Sequence, residues 1–135
     1  KESLETGIFW VPCASCLDTS FDQDGQHEEN NVVIIEHEHI KLEIQNMEGA
    51  VKIQNNMPFS KIFSMISKAS FVHTNSYHAF YWSVLLGKEV NVSSNSSKIS
   101  QSPFIRMPER GSALLDICRN KNREFYKEVL SLIQS

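Results

Sequence analysis

The residues best suited to chemistry lie at positions 74 to 78, where the sequence reads Thr-Asn-Ser-Tyr-His. The first three are residue types that favour turns and helix N-caps. The segment from Tyr77 to Leu86 contains no glycine or proline and is followed by Gly87, which predicts a helix that begins at Tyr77. The free N–H groups and the dipole at such a helix end favour anions. This stretch therefore predicts an anion site with His78 in the first helical turn.

The side chains around His78 extend this predicted site. A phosphate would accept hydrogen bonds from the N–H groups of Ser76 to His78, with Tyr77 between them, and Asn75 and Ser76 offer neutral side-chain hydrogen bonds. A protonated His78 would stabilise a leaving phosphate or act as an acid. A packing or capping role for His78 is the alternative. Trp82 lies on the same helical face, where we interpret it as a core residue rather than a ligand contact.

A histidine-containing segment follows the most strongly predicted strand. Residues Val32 to Ile35 are continuously apolar, which is typical of a parallel strand covered on both faces. His37 and His39 come just past its end, where open α/β sheets bind ligands. The sequence leaves three interpretations open: His37 faces a ligand, the two histidines bind a metal ion, or the segment is solvated surface.

A serine-rich segment follows another predicted strand, Glu89 to Val92. It runs from Ser93 to Pro103 and includes Ser96 and Lys98. A low-complexity linker is one interpretation. The other, which its position beside the His78 turn favours, is a ligand loop in which Ser96 offers a hydroxyl and Lys98 a positive charge.

Cys13 and Cys16 form a C-x-x-C pair. A redox pair of this kind is expected at a helix start within a βαβ unit, and a zinc site needs two further ligands, which Cys118 and the nearby histidines do not supply at a typical spacing. We interpret the pair as structural, with metal binding and redox chemistry as alternatives. The odd total of three cysteines favours a reducing compartment.

The elements that must position these residues alternate along the chain. The predicted elements are strand 32–35, an ambiguous segment 40–48, strand 50–54, helix 59–69, strand 71–73, helix 77–86, strand 89–92, strand 104–107, and helices 113–118 and 122–133. This alternation predicts right-handed crossovers and a mostly parallel sheet. The predicted fold class is therefore α/β, a Rossmann-like three-layer sandwich, with residues 1–30 as an N-terminal arm and 31–135 as the domain.

Composition narrows the functional classes. A chain of 135 residues is one domain by size, and a net charge of −3 gives no indication of nucleic-acid binding. No apolar run approaches the roughly 20 residues that span a membrane, and no signal peptide is evident. We therefore expect a cytoplasmic protein without a membrane span. The glycine patterns of dinucleotide-binding folds and P-loops are absent from the sequence.

Residues 69 to 90 resemble a segment of a known enzyme family. The shared pattern comprises Ala69, Val72, Thr74, Asn75, Ser76, Tyr77, His78, Ala79, Leu85, Leu86, Gly87, Lys88 and Val90. It resembles the carboxyl-terminal half of polysaccharide pyruvyl transferases and related GT-B-type transferases, over about residues 31–100. An arginine that some phosphoenolpyruvate-binding members carry two residues before the histidine is Ser76 here, and a frequent glycine after the histidine is Ala79.

The resemblance implies one half of a GT-B architecture, in which two Rossmann-like halves enclose the active site. In that family the carboxyl-terminal half binds the activated donor, which is phosphoenolpyruvate in pyruvyl transferases and a nucleotide-sugar in glycosyltransferase relatives. The family histidine corresponds to His78, which the resemblance makes the catalytic residue. It also implies a bacterial enzyme of polysaccharide biosynthesis that transfers a pyruvyl or glycosyl group to a saccharide acceptor, without a resident cofactor or metal.

The length of the chain matches a single GT-B half. We therefore expect a fragment, or a domain that acts with a missing domain or as a homodimer. The alternative is a non-catalytic Rossmann-like binding or assembly module. That alternative predicts a buried, internally bonded His78 and an apolar surface where the other half would dock.

Overall fold

The computed structural model describes residues 10–22, 31–42, 49–93 and 97–134. Within these ranges the strands are β1 (Val32–Glu36), β2 (Val51–Gln54), β3 (Phe71–Thr74) and β4 (Glu89–Val92). The helices are α1 (Phe59–Lys68), α2 (Tyr77–Leu85), the single turn α3 (Ser97–Ser100) and the long α4 (Ser112–Gln134). Three 3-10 turns lie at Ala14–Leu17, Thr19–Asp22 and Pro103–Ile105.

The four strands form a sheet in the order β2-β1-β3-β4, and every pairing is parallel. This confirms the predicted α/β class with a parallel sheet. The chain leaves β1 toward β2 on one side and later adds β3 and β4 on the other. In doubly wound sheets such a reversal between two neighbouring strands opens a ligand-binding crevice at their carboxyl ends. Here the reversal lies between β1 and β3.

Helices α1 and α2 pack on the same face of the sheet. Ile62 and Ile66 of α1 and Ala79 of α2 share an apolar cluster with Val33 and Val72, which are partners in the β1–β3 register. Ile34 and His73 are also partners and alternate with those residues, so they lie on the opposite face. A helical layer on that opposite face is not formed by α1, α2 or α4, and the third layer of the sandwich stays a prediction.

Helix α2 is buried on nearly all sides. One side faces the sheet, and the other packs against α4 and the segment around Cys16 and Phe21 in a second apolar cluster. A helix enclosed in this way is apolar all round, as its sequence from Ala79 to Leu85 shows. The described part of the predicted N-terminal arm thus belongs to the same core. The predicted boundary at residue 30 lies outside the described residues.

The sequence prediction was wrong at two places near the carboxyl end. The predicted strand 104–107 is a 3-10 turn, because Pro103 opens it and the Ser102 hydroxyl accepts the N–H of Phe104. Phe104 is buried between the rings of Trp10 and Tyr81. The two predicted helices 113–118 and 122–133 form one continuous helix, α4, with no glycine or proline between them to end it.

The strands and helices predicted from residue 50 to residue 92 agree with the observed elements to within one residue at each end. The predicted serine-rich loop contains the single turn α3, and most of the ambiguous segment 40–48 lies outside the described residues. In the described ranges, no helix combines the length and apolarity that a membrane crossing requires.

Candidate functional site

The start of α2 is positioned by the hydroxyl of Thr74. This hydroxyl donates to the carbonyl oxygen of Ile35 at 2.6 Å and accepts the backbone N–H of Ser76 at 3.0 Å. Thr74 is fully buried, with 0% of its surface exposed. The Thr74 side chain therefore links the ends of β1 and β3 to Ser76, the residue that precedes α2.

Asn75 joins the segment after β1 to the same turn. Its Oδ1 accepts the backbone N–H of His37 at 2.7 Å, and its Nδ2 donates to the carbonyl oxygen of Ile40 at 2.9 Å. Both amide atoms of this buried side chain are thus engaged with backbone groups. Asn75, which the sequence analysis assigned to ligand binding, lines the site but acts mainly by holding His37 in place.

Helix α2 begins without a side-chain cap. Ser76 occupies the N-cap position, and its side chain makes no capping hydrogen bond. Its hydroxyl instead accepts a hydrogen bond from Nδ2 of Asn55 at 3.3 Å. The N–H groups of the first helical turn have no carbonyl partner within the helix. Those of Tyr77 and His78 lie beyond the carboxyl end of β3. The N–H of Ser76, which was predicted to bind a phosphate as well, donates to the Thr74 hydroxyl instead.

These groups surround a cavity of about 140 Å³ beside the switch point between β1 and β3. Its walls are His37, Ile40, Asn55, Asn75, Ser76, Tyr77, His78, Lys98 and Ile99. The lining residues follow the carboxyl ends of all four strands. Of the seven residues assigned to the site from sequence, the structure brings together His37, Asn75, Ser76, Tyr77, His78 and Lys98. The seventh, Ser96, lies outside the described residues.

His78 is half-buried, and its ring is flanked by two aromatic neighbours. The ring centroid lies 5.5 Å from that of Trp82 and 5.6 Å from that of Tyr77. The imidazole makes no hydrogen bond to any of the described residues. Burial lowers the pKa of His78, and the positive charge of Lys98 lowers it further. The imidazole is therefore neutral at pH 7.

The charged side chain among the described residues that line the cavity is positive. Lys98 contributes a charged ammonium group, which lies 5.2 Å from the centroid of the Tyr77 ring. The helix end adds the partial positive charge of its N–H groups. No aspartate or glutamate is among the described residues that line the cavity. Among these described residues, an anion entering the site would meet favourable partners.

His37 is held in one tautomer by a local hydrogen bond. Its Nδ1 accepts the backbone N–H of His39 at 3.1 Å, so its neutral ring carries the proton on Nε2 and keeps a donor there. The His39 ring lies 5.8 Å away and contacts the carboxylate of Glu38. Across the described ranges, no cluster of three or more His, Cys, Asp and Glu side chains is arranged to hold a metal ion.

Asn55 is a site residue that the sequence analysis did not identify. It lines the cavity, donates to Ser76, and accepts the backbone N–H of Glu38 through Oδ1 at 2.9 Å. It was interpreted only as part of a turn. Its position directly after β2 could have identified it as a site residue, because the carboxyl ends of parallel strands lie at the same edge of the sheet.

Three larger grooves among the described residues lie away from the site. One, of about 610 Å³, runs along β4 and Arg110, and two, of about 500 and 440 Å³, lie along α4 beside Tyr126 and Leu130. None of them is lined by a residue assigned to the site from sequence. We favour the smaller cavity as the functional site because polar groups from several segments converge on it at a topological switch point.

Comparison with known proteins found no counterpart: no family profile matches this chain, and neither a curated protein nor a solved structure matches it. The geometry and charge of the site, together with the resemblance of residues 69–90 to a transferase segment, are therefore the basis of the functional proposal.

Proposed function

We propose that this chain is the donor-binding half of a transferase resembling polysaccharide pyruvyl transferases or GT-B-type glycosyltransferases. In this proposal a phosphate group of the donor occupies the cavity at His78. The observation that carries it is the convergence of His37, the α2 N-terminus with His78, and Lys98 on one cavity. These groups come from three separate segments, and each is suited to bind an anion.

The size of the cavity supports a phosphate as the enclosed group. A volume of about 140 Å³ corresponds to about five water molecules at ~30 Å³ each. Phosphate has about that number of non-hydrogen atoms, whereas complete drug-sized ligands occupy pockets of ~300 Å³ or more. The rest of a phosphoenolpyruvate or nucleotide-sugar donor would extend through the opening, toward the part of the enzyme that supplies the acceptor.

The protonation of His78 supports a role in transfer. The imidazole is neutral at pH 7 because burial and Lys98 lower its pKa. A bound phosphate would place negative charge beside the ring and raise that pKa, so His78 would take up a proton on binding. The resulting imidazolium would stabilise the phosphate that leaves during the transfer, or give it a proton. Lys98 and the N–H groups of α2 would hold the same phosphate in place.

Ligand-induced stabilisation tests the proposal. Unfolding would be followed thermally with phosphoenolpyruvate, a nucleotide-sugar, inorganic phosphate, and pyruvate as the phosphate-free control. A ligand at one hundred times its Kd stabilises by about 2.7 kcal/mol. We expect stabilisation by at least one phosphate-containing compound and none by pyruvate.

Variants identify the site that such a ligand occupies. His78→Gln keeps the approximate size of the side chain and should abolish the shift, whereas His39→Gln, which changes an exposed histidine outside the cavity lining, should keep it. Absence of a shift with every phosphate compound, or an equal shift in His78→Gln, contradicts the proposal.

The second candidate is the non-catalytic assembly module, and one observation favours it. Leu115 and Cys118 of α4 pack in the core, and the same stripe continues past the polar Asn122. It runs on through Phe125, Val129 and Leu132, which follow Cys118 at spacings of seven, four and three residues. Leu132 is 75% exposed. Such spacing suits a helix with the same pattern, which a second copy of this chain provides. A dimer in sedimentation experiments that Leu132→Glu dissociates would support this candidate, and a monomer at all concentrations would exclude it.

A further inference from the structure

The C-x-x-C pair has no part in the proposed donor site, yet its two cysteines differ sharply in environment. Cys13 is half-buried and stands at the start of the 3-10 turn Ala14–Leu17, whereas Cys16 is fully buried. The N–H of Cys16 donates to the carbonyl oxygen of Cys13 at 3.4 Å. A 3-10 helix rises by about 2 Å per residue, so residues three positions apart have Cα atoms about 6 Å apart. This separation lies within the range of Cα–Cα distances found in disulfides.

The sulfur of Cys13 receives a hydrogen bond from a fixed donor. The Ser15 hydroxyl donates to Sγ of Cys13 at 3.2 Å. Nε1 of Trp82 donates to that hydroxyl oxygen at 3.0 Å, which directs the hydroxyl proton toward the sulfur. This contact fixes the position of the Cys13 sulfur, and Cys13 is the cysteine of the pair that solvent reaches. The half-buried cysteine is thus the one that an external disulfide can meet.

The third cysteine, Cys118, lies close to the pair on α4. Like Cys16 it is fully buried, and burial raises the pKa of both thiols, that of Cys118 to about 12. Nδ2 of Asn122 approaches both the carbonyl oxygen of Cys118, at 3.0 Å, and Sγ of Cys16, at 3.4 Å. Cys16 therefore has two conceivable partners, of which only Cys13 has solvent access.

We infer that Cys13 and Cys16 form a reversible dithiol–disulfide pair, in which Cys13 is the attacking thiol and Cys16 the resolving thiol. The oxidant is a low-molecular-weight disulfide such as oxidised glutathione. The Cys13 thiolate attacks one glutathione sulfur, forms a mixed disulfide and releases one glutathione thiolate. Cys16 then loses its proton, attacks the Cys13 sulfur and expels the second glutathione thiolate. Two protein thiols are oxidised by two electrons, and one glutathione disulfide is reduced to two thiols.

The pair is connected to the start of α2 through Trp82. This side chain bonds to Ser15 on one side, and its ring lies 5.5 Å from the ring of His78 on the other. A disulfide would convert the Cys13 thiol that the Ser15 hydroxyl contacts, and so would change the surroundings of the Trp82 indole. The fluorescence of Trp82, recorded in a Trp10→Phe background where it is the remaining tryptophan, should change with oxidation.

Mass spectrometry of the full chain tests the inference directly. The folded protein is equilibrated with graded mixtures of oxidised and reduced glutathione, quenched by alkylation, and mapped by peptide. We expect a species that has lost two hydrogens, with its disulfide between Cys13 and Cys16 and with Cys118 alkylated. A disulfide between Cys16 and Cys118, or no disulfide across the whole range of mixtures, overturns the inference.

Serine variants assign the two roles. Cys16→Ser should accumulate a glutathione adduct on Cys13, because the resolving thiol is missing. Cys13→Ser should form neither an adduct nor a disulfide, since Cys16 is buried. Cys118→Ser is the matched control and should oxidise like the parent chain. An adduct on Cys16 in folded Cys13→Ser, with the fold checked by circular dichroism, would refute the assignment of Cys13 as the attacking thiol.

Discussion

Replacement of the Thr74 hydroxyl tests whether this group holds the start of α2 in place. Thr74→Val replaces the hydroxyl with a methyl group of similar size, so the core keeps its packing. The buried N–H of Ser76 then loses its acceptor, which costs about 1–3 kcal/mol, and the hydrogen bond to the Ile35 carbonyl is lost at about 1 kcal/mol. We therefore expect the free energy of unfolding to fall by about 2–4 kcal/mol.

Urea unfolding followed by circular dichroism measures this loss, provided that the m-value stays unchanged. Thr74→Ser keeps the hydroxyl and removes one methyl group, so it should cost only about 0.8 kcal/mol. Thr19→Val makes the same chemical change at an exposed position and should be nearly neutral. If Thr74→Val destabilises no more than Thr19→Val, the hydroxyl does not hold the α2 turn in the way described.

Three further predictions concern groups around the sheet. Burial lowers the pKa of His73 below its ordinary 6.5, so the neutral ring favours the folded state, and stability should fall as the pH drops below about 6.5. Burial lowers the pKa of His78 as well, so His73→Phe should reduce this dependence in urea unfolding without removing it. Asn75→Ala removes two hydrogen bonds to the segment after β1 and should lower the free energy of unfolding by about 2 kcal/mol. Gly87→Ala should lower the melting temperature more than Gly49→Ala, because both have positive φ but only Gly87 has backbone 3.4 Å from an added Cβ. Equal melting temperatures for the two glycine variants would contradict this last prediction.

The elements around the site were predictable because their signals are local. The continuous apolar run of β1 and the glycine after α2 mark their own boundaries, and parallel pairing brings the carboxyl ends of strands to one edge. His37, His78 and Lys98 could therefore be assigned to one place before any geometry was known. The roles of individual side chains depend on distant partners. Asn75 binds the backbone of a residue 38 positions away, and no local pattern carries that information.

The failed predictions have the same physical origin. The segment 104–107 contains apolar residues that suit a strand, but Phe104 is held by rings contributed from residues 10 and 81. Tertiary contacts outweigh a weak local preference for strand. The continuity of α4 is similar: residues 119–121 are polar and interrupt the apolar pattern, yet nothing in them breaks a helix, and Arg119 is engaged by the carbonyl oxygen of Cys16.

The position of the cavity follows from the strand order rather than from the identity of its residues. Because the chain leaves β1 and β3 in opposite directions, the segments that follow these strands separate and leave a crevice between them. Asn75 then bridges the two segments at the base of the crevice. The location of the ligand site and the identity of its ligand are thus separate questions. Failure of phosphate compounds to bind would reject the donor proposed here, while a neutral ligand bound in a His78-dependent manner would still identify the crevice as the functional site.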